Sequence, residues 1–482
     1  MTLPRLFLLV LAALLAPAAH GELPPTIAEA LRAAGLAPDS MAFVVQRASD
    51  GRTIAAHQAE RPMQPASTLK VLTSIVALDT LGPAFRGRTD LLAAGPVSGG
   101  VLRGDLVLRG AADVDLDAQA FEQMLRVARL KGVREVRGDL LLDRTFFDPA
   151  RTDAGLPPFD EAPEFRYNVI PDALLLNTNL IGIDLSSDAR TVRAVASTPL
   201  QAVIVVPRFT LVDGDCDDWD EGWVLPEVRR ERSGVIKVLL SGTFPRDCDV
   251  STAINVIDRV EFAERLFRET WKRLGGEFRG RARDAATPSG ARPLARHRSR
   301  PLAEVVRDID KRSDNPIARV VYLTLGTSRA AAGPPPTAER AERVVRDWMA
   351  SKGIDADGLV LENGSGLSRT ERIRPAQLAA VLRAALASPW APELVASLPI
   401  VAVDGGMRSR LKDSPAARRA RLKTGTLRDT SALAGYLKDA NGVDYVIAAM
   451  INDDAADRKI ARPILDALVE WLFATGFAGS PP

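Results

Sequence analysis

Apolar positions along this chain recur with two different periods, and the switches between them mark out its elements. Residues Thr26–Ala34 carry a helical pattern that stops at Gly35. Met41–Ala48 and Arg52–His57 then flank a Ser-Asp-Gly turn and predict a β-hairpin. Leu69, Leu72, Ile75, Val76 and Leu78 fall at helical spacing, so Ser67 stands at the start of a helix reaching Leu81. From about residue 90 the texture changes. Val101–Gly110 and Val133–Asp143 share an Arg-Gly-Asp-Leu-x-Leu core whose glycines, Gly104 and Gly138, are 34 residues apart. Between them Asp117–Lys131 predicts one helix, capped by Asp117 and stopped by Gly132. Residues 146–171 predict loop, and β-type runs dominate from Leu174 to about Val256. A helix over Val260–Leu274 follows, then an Arg-, Ala- and Pro-rich crossing segment over 278–300. Further helices are predicted at Pro301–Arg312, Asn315–Leu325 and Ala338–Lys352. A hairpin pairs Ala432–Lys438 with Val443–Ile451 through Asn441-Gly442, and an amphipathic helix over Arg462–Ala474 closes the pattern.

At 482 residues the chain exceeds what one core organises, so two or three domains are expected. A net charge of +2 gives no reason to expect nucleic acid as partner, and the Arg-rich run Arg292–Arg300 is read as a solvated surface. Arg5, the apolar run Leu6–Leu15 and small residues at Ala16, Ala18, Ala19 and Gly21 form an export signal over residues 1–21, with an uncleaved anchor as the alternative. No other apolar stretch is long enough to span a bilayer. An exported chain with two cysteines in polar segments favours a Cys216–Cys248 disulfide over two free thiols. Two cysteines and the scattered His20, His57 and His297 offer no familiar zinc spacing, so neither metal nor other cofactor is expected.

Three short motifs carry the chemistry: Ser67-Thr68-Leu69-Lys70, Ser313-Asp314-Asn315 and Lys423-Thr424-Gly425-Thr426. Ser-x-x-Lys, Ser-x-Asn and Lys-Thr-Gly in this order are shared by penicillin-binding proteins and class A β-lactamases. A serine hydroxyl is a weak nucleophile and needs a nearby base. On a helix, positions i and i+3 share a face, so the Lys70 amine reaches the Ser67 hydroxyl. Burial beside other cations favours the neutral amine. Ser313 is expected to relay a proton between Lys70 and the leaving amine, and Asn315 to hold a substrate amide. Gly425 lets a substrate backbone approach, Thr424 and Thr426 offer hydroxyls to a carboxylate, and the N–H groups of Ser67 and Thr426 are the candidate oxyanion hole. A Ser-His-Asp triad is the competitor. His57 reads as a strand side chain, however, and Ser365 lacks the glycine of a nucleophile elbow because Asn363 occupies that place.

The chain resembles the penicillin-binding protein 4 family, the low-molecular-mass class C D-alanyl-D-alanine carboxypeptidases/endopeptidases. Pro65–Lys70, Gly104–Val107 with Gly110–Asp113, Asn363–Arg369, and Leu398–Ile400 with Asp404-Gly405 and Arg410-Leu411 all carry the resemblance. It implies an α/β (α+β) penicillin-recognising serine transpeptidase/β-lactamase-like domain with two nested β-rich insertions. The catalytic domain would be 22–90 plus 290–482, the first insertion 91–96 plus 166–289, and the nested one 97–165. It implies Ser67 as acylated nucleophile, Lys70 as its base, Ser313 and Asn315 in proton transfer and amide binding, and Lys423, Thr424 and Thr426 in carboxylate recognition. Implied partners are peptidoglycan peptides ending in D-Ala-D-Ala and β-lactams as covalent inhibitors. The implied place is the periplasm, peripheral to the cytoplasmic membrane, with oligomeric state, a homodimer included, left open. Two departures are Asn363, where the family often has Asp, and Gly406, where Thr is common.

Two alternatives stand beside this reading. A serine β-lactamase needs an acid for deacylation, but Ala173–Asn177, the look-alike segment, has alanine at the acid position and precedes Ser313. A non-catalytic penicillin-binding sensor or scaffold would keep the fold without needing every reactive side chain that is present here.

Overall fold

The computed structural model describes residues 23–152, 162–328 and 334–478; the predicted leader over 1–21 and part of the predicted loop lie outside the described residues. Its first layer is an antiparallel five-stranded sheet in the order Ala420–Leu427, Thr430–Lys438, Asp444–Asn452, Met41–Arg47, Thr53–His57. The N-terminal and C-terminal parts of the chain thus complete one sheet. Strand alternation sorts the side chains. Ala42, Val44, Ala434, Ala448 and Met450 enter one core, while Met41, Phe43, Val45, Leu433, Ile447 and Ala449 enter the other. Both faces are covered, which is why these strands read as near-continuous apolar runs. Helices Pro25–Ala33 and Arg458–Ala478 cover the second face. Lys70–Leu81, Leu302–Lys311, Asn315–Leu325, Thr337–Ser351 and Pro375–Leu386 cover the first.

A second five-stranded sheet, in the order Ala282–Asp284, Leu140–Asp143, Asp105–Ala111, Arg88–Ala94, Arg292–Arg298, forms the base of the insertion. It crosses the expected divisions at 90, 96 and 289, because Arg88–Ala94 pairs with Asp105–Ala111 on one side and Arg292–Arg298 on the other. The segment 278–300, expected as a crossing, therefore contains strand. Arg292–Arg298 lies at the sheet edge, where arginine and proline on the open side are tolerated and blur the alternation.

The Arg-Gly-Asp-Leu repeat has a structural meaning. Leu106 lies opposite Leu140 and Leu108 opposite Leu142 in parallel register, so the two copies pair with themselves. Gly138 N donates to Gly104 O at 3.1 Å, and a Cβ on Gly138 would sit 2.6 Å from the Gly104 carbonyl carbon. A third copy, Arg279-Gly280-Arg281-Ala282, continues the pattern: Ala282 pairs with Leu140, and a Cβ on Gly280 would overlap the Gly138 carbonyl. Only glycine permits this stacking of three turns. Helix Ala118–Leu130, capped by Asp117 through Ala120 N at 2.7 Å, packs in the same core.

Two three-stranded sheets extend the insertion, Val192–Ala196/Ile181–Ser187/Asp249–Ile254 and Val203–Val212/Ile236–Pro245/Trp223–Arg230. Cys216 and Cys248 are disulfide-bonded with their Cα atoms 5.4 Å apart, beside the aromatic group Trp219, Trp223, Phe209 and Phe244. Among the described residues no helix is long and apolar enough to cross a membrane.

Candidate active site

Ser67 sits in a 3-10 turn, Ala66–Leu69, that runs directly into the α-helix starting at Lys70. The turn is held by Thr68 Oγ1, which donates to Pro65 O at 2.7 Å, and by Ala66 at φ 45°. A non-glycine residue in that left-handed region needs enforcement by its surroundings. Two glycines supply it. A Cβ on Gly366 would overlap the Ala66 carbonyl, and one on Gly425 would lie 2.9 Å from Ser67 N and 2.7 Å from Pro65 O. The strand Ala420–Leu427 and the turn Asn363–Leu367 thus press on the serine turn from separate parts of the chain. Ser67 itself is half-buried while Ala66, Thr68 and Leu69 are buried, leaving the hydroxyl end accessible.

Lys70 is fully buried, and its Nζ donates to Ser67 Oγ at 2.8 Å, Asn315 Oδ1 at 2.5 Å and Ser365 O at 2.5 Å. Burial pushes its ammonium well below the usual lysine range, and the Lys423 charge pushes the same way; Asp314, Glu371 and Asp310 oppose. In the neutral form the amine keeps two donors for Asn315 and Ser365 and turns its lone pair to the Ser67 hydroxyl.

Lys423, also buried, donates to Ser313 Oγ at 3.0 Å and to Thr424 O at 2.7 Å. Burial brings its ammonium down to about 8, with Asp310 raising it. Ser313, at φ 58°, is therefore held by Lys423, whereas Lys70 is held by Ser67, Asn315 and Ser365. The sequence placed Ser313 between Lys70 and the leaving group; the structure puts Lys423 behind it. Asn315 engages both ends of its amide, Oδ1 with Lys70 and Nδ2 with Tyr167 O at 3.3 Å. Thr424 is half-buried and Thr426 exposed. A Cβ on Gly406 would overlap Thr424 Oγ1, so glycine there leaves the threonine hydroxyl its space.

Several contributors lie outside the motifs. Ser365 serves through its carbonyl, while its hydroxyl donates to Asn363 Oδ1 at 2.6 Å. Glu371 is fully buried and accepts from the backbone N–H groups of Glu362, Asn363, Gly364 and Gly366 at 2.9–3.1 Å. It fastens the turn that presents the Ser365 carbonyl to Lys70. Burial pushes its carboxyl up and those N–H groups hold it down. Asp314 caps helix Asn315–Leu325 through Ile317 N at 2.9 Å and pairs with Arg166 at 2.7 Å. Glu371 follows the Gly-Ser turn by several residues and belongs to no spaced motif, which is why its role is not legible in the sequence. A cavity of about 550 Å³ opens beside Ser313 and Asn315, lined by Phe165–Tyr167 and Arg312 among others. A larger one of about 680 Å³, around Asp115, His297 and Arg300, contains none of the motif residues. Among the described residues no group of three or more His, Cys, Asp or Glu is placed to hold a metal ion.

The model of the D-Ala-D-Ala carboxypeptidase 3 (S13) family matches residues 24–474. The chain belongs to this family. This S13 chain is a serine D-Ala-D-Ala carboxypeptidase with a penicillin-recognising fold. It is 26% identical over 416 residues to the D-alanyl-D-alanine carboxypeptidase DacB of Haemophilus influenzae, covering 86% of this chain and 85% of that one. It is 28% identical over 410 residues to the D-alanyl-D-alanine carboxypeptidase of an Actinomadura species, covering 83% and 75%. The crystal structure of penicillin binding protein 4 from Haemophilus influenzae superposes with a TM-score of 0.75 at 22% identity, covering 94% of the S13 chain and 99% of its own. A complex of that protein with a β-lactam gives 0.70 at 23% identity, covering 90% and 95%.

Proposed function

We propose that Ser67 is the nucleophile that cleaves the terminal D-Ala-D-Ala bond of peptidoglycan stem peptides. The observation that carries this is the 2.8 Å contact between Ser67 Oγ and the buried Lys70 amine. Neutral Lys70 takes the Ser67 proton as Oγ attacks the penultimate carbonyl carbon. The resulting oxyanion lies against the N–H groups of Ser67 and Thr426. Ser313, backed by the Lys423 ammonium, gives its hydroxyl proton to the departing D-alanine nitrogen as the C–N bond breaks, and is reprotonated from Lys423. Lys70 then releases the proton it took to solvent and Lys423 regains one. Water attacks the ester carbonyl carbon, and the neutral Lys70 amine takes the water's proton and passes it to Ser67 Oγ as the ester C–O bond breaks. The peptide leaves as its new carboxylate. Protonated Lys423 with Thr424 and Thr426 recognises the substrate's terminal carboxylate, and Asn315 exchanges its Tyr167 contact for the substrate amide.

β-Lactams acylate Ser67 by the same attack; the related Haemophilus influenzae protein has been crystallised with one. Cleavage of peptide cross-links is a second activity of the same site. It is supported by the open cavity beside Ser313 and Asn315, which leaves room for a branched substrate. The chain is exported by residues 1–21 and works in the periplasm, in keeping with the Cys216–Cys248 bond. Mass spectrometry of products from purified uncross-linked and cross-linked muropeptides tests the proposal. Release of D-alanine supports the carboxypeptidase reading and release of monomers the endopeptidase one. Turnover of penicillin with neither product would replace both with a β-lactamase.

A further inference from the structure

Beneath the two lysines lies a buried carboxylate that belongs to none of the motifs. Asp310 is on helix Leu302–Lys311, three residues before Ser313, and is fully buried. Its Oδ2 accepts from Ser397 Oγ at 2.7 Å and its Oδ1 from Ser74 Oγ at 3.4 Å. Ser74 is one turn beyond Lys70 on the same helix, and Ser397 ends helix Ala391–Ser397. The carboxylate therefore joins the helix of Lys70 to the helix that delivers Ser313.

The proposed mechanism, on which this inference rests, needs two buried lysines in opposite states: Lys70 neutral and Lys423 charged. Two like charges in one low-dielectric site repel, and neither is stable there without an anion. Three carboxylates act on Lys70, namely Asp314, Glu371 and Asp310. Asp314 is paired with Arg166, and Glu371 is occupied by four backbone N–H groups. Asp310 lies three residues before Ser313, whose Oγ is 3.0 Å from Lys423 Nζ, and its charge favours the Lys423 ammonium. We propose that Asp310 is a positioning residue: its carboxylate, held by Ser397 and Ser74, is the buried counter-charge that keeps Lys423 protonated while Lys70 is neutral.

The charged groups acting on Asp310 are Lys423 and Lys70. Glu304 and Arg307 share its helix, and Glu393 on helix Ala391–Ser397 has a buried Oε2 without a hydrogen-bond partner among the described residues, while other titratable groups are engaged elsewhere. Lys311 pairs with Asp404, Asp308 with Arg300, and Asp79 accepts from Trp348 and Ser388. Arg319 answers to Glu362 and Glu371. Burial pushes the Asp310 carboxyl up to about 6, so it is ionised at neutral pH and loses its charge as pH falls through that value.

The test is the pH dependence of kcat and KM for a small peptide ending in D-Ala-D-Ala and for the same peptide ending in an amide. Asp310→Asn keeps the shape and removes the charge. Lys423 then loses its proton at lower pH, so the alkaline limb of kcat/KM moves down by about one unit. At about pH 9, above both limbs, KM for the free carboxylate is about tenfold that of the wild type, while KM for the amide is unchanged. Asp310→Ser, smaller and also uncharged, must shift the limb the same way. Ser397→Ala loosens the helix packing but leaves the charge, so it lowers Tm with the alkaline limb in place. Profiles for Asp310→Asn and Asp310→Ser that superimpose on the wild type after scaling would overturn the assignment, as would equal KM changes on both substrates. A wild-type enzyme that releases no D-alanine from either peptide is a separate failure, of the proposed function rather than of Asp310.

Discussion

Lys423 Nζ stands 3.0 Å from Ser313 Oγ, so each of the two buried lysines serves its own hydroxyl. In the proposed mechanism Lys70 sits behind the attacking oxygen and Lys423 behind the oxygen that protonates the leaving group. This division predicts different kinetic signatures. Lys423 is protonated below about 8 and loses its charge as pH rises through that value. Binding of a free carboxylate therefore weakens above about 8, and the loss appears in KM. Ser313→Ala removes the donor to the leaving amine and lowers peptide acylation about a hundred-fold, with KM little changed. Steady-state kinetics across pH separates the two effects.

Lys70 has the opposite requirement. Burial depresses its pKa, which favours the reactive neutral amine, and that form disappears as pH falls through the folded value. The acid limb of the acylation rate belongs to this residue. Lys70→Met keeps the buried volume without the base, so acylation by penicillin falls by about a thousand-fold or more while the protein stays folded. Ser67→Ala abolishes covalent labelling altogether at an unchanged Tm. A fluorescent penicillin read on a denaturing gel checks both, and persistent labelling of the serine variant would remove Ser67 from the mechanism.

Glu371 is a stability prediction with a catalytic consequence. Truncation to alanine leaves four N–H groups of the turn 362–366 without this acceptor, those of Gly364 and Gly366 buried, which costs about 3 kcal/mol. The Ser365 carbonyl is then no longer held against Lys70, so acylation slows as well. Glu371→Gln preserves part of the acceptor set and gives a smaller fall in both. Denaturant unfolding alongside penicillin acylation rates measures the pair of effects.

What the sequence made legible follows from which signals are local. The hairpin Met41–Arg47/Thr53–His57 and the helix Asn315–Leu325 rest on periodicity and turn chemistry within a few residues. The three motifs were found because each is contiguous, and their meeting was implied by their order. The third glycine turn at Gly280 was missed because Arg281 and Ala282 replace the Asp-Leu of the other copies, although its backbone packs the same way. Helices Pro375–Leu386 and Ala391–Ser397 each begin with proline in the first turn, a start signal local to the chain. Asp310 and Glu371 have no motif at all. Their importance comes from burial and from partners 87 residues away for Asp310 and from a turn's backbone for Glu371, neither of which side-chain identity encodes.

Gly425 ties the Lys-Thr-Gly strand to the nucleophile by the absence of a side chain. A Cβ there would lie 2.7 Å from Pro65 O, 2.9 Å from Ala66 Cβ and 2.9 Å from Ser67 N. These are backbone and Cβ atoms of a turn already held by Gly366, so none can swing aside as a long side chain would. Gly425→Ala must push the strand or the serine turn outward by several tenths of an ångström. Overpacking of this kind costs about 1–3 kcal/mol. The larger effect is on rate, because the Ser67 N–H and the strand that bears Thr426 separate, and a misplacement of about 1 Å at reacting groups costs about a hundred-fold. Gly214→Ala is the control, since nothing lies within 4 Å of a Cβ there. Acylation of both variants by penicillin decides the matter: Gly425→Ala reacting at the wild-type rate would show that the strand does not set the geometry around Ser67.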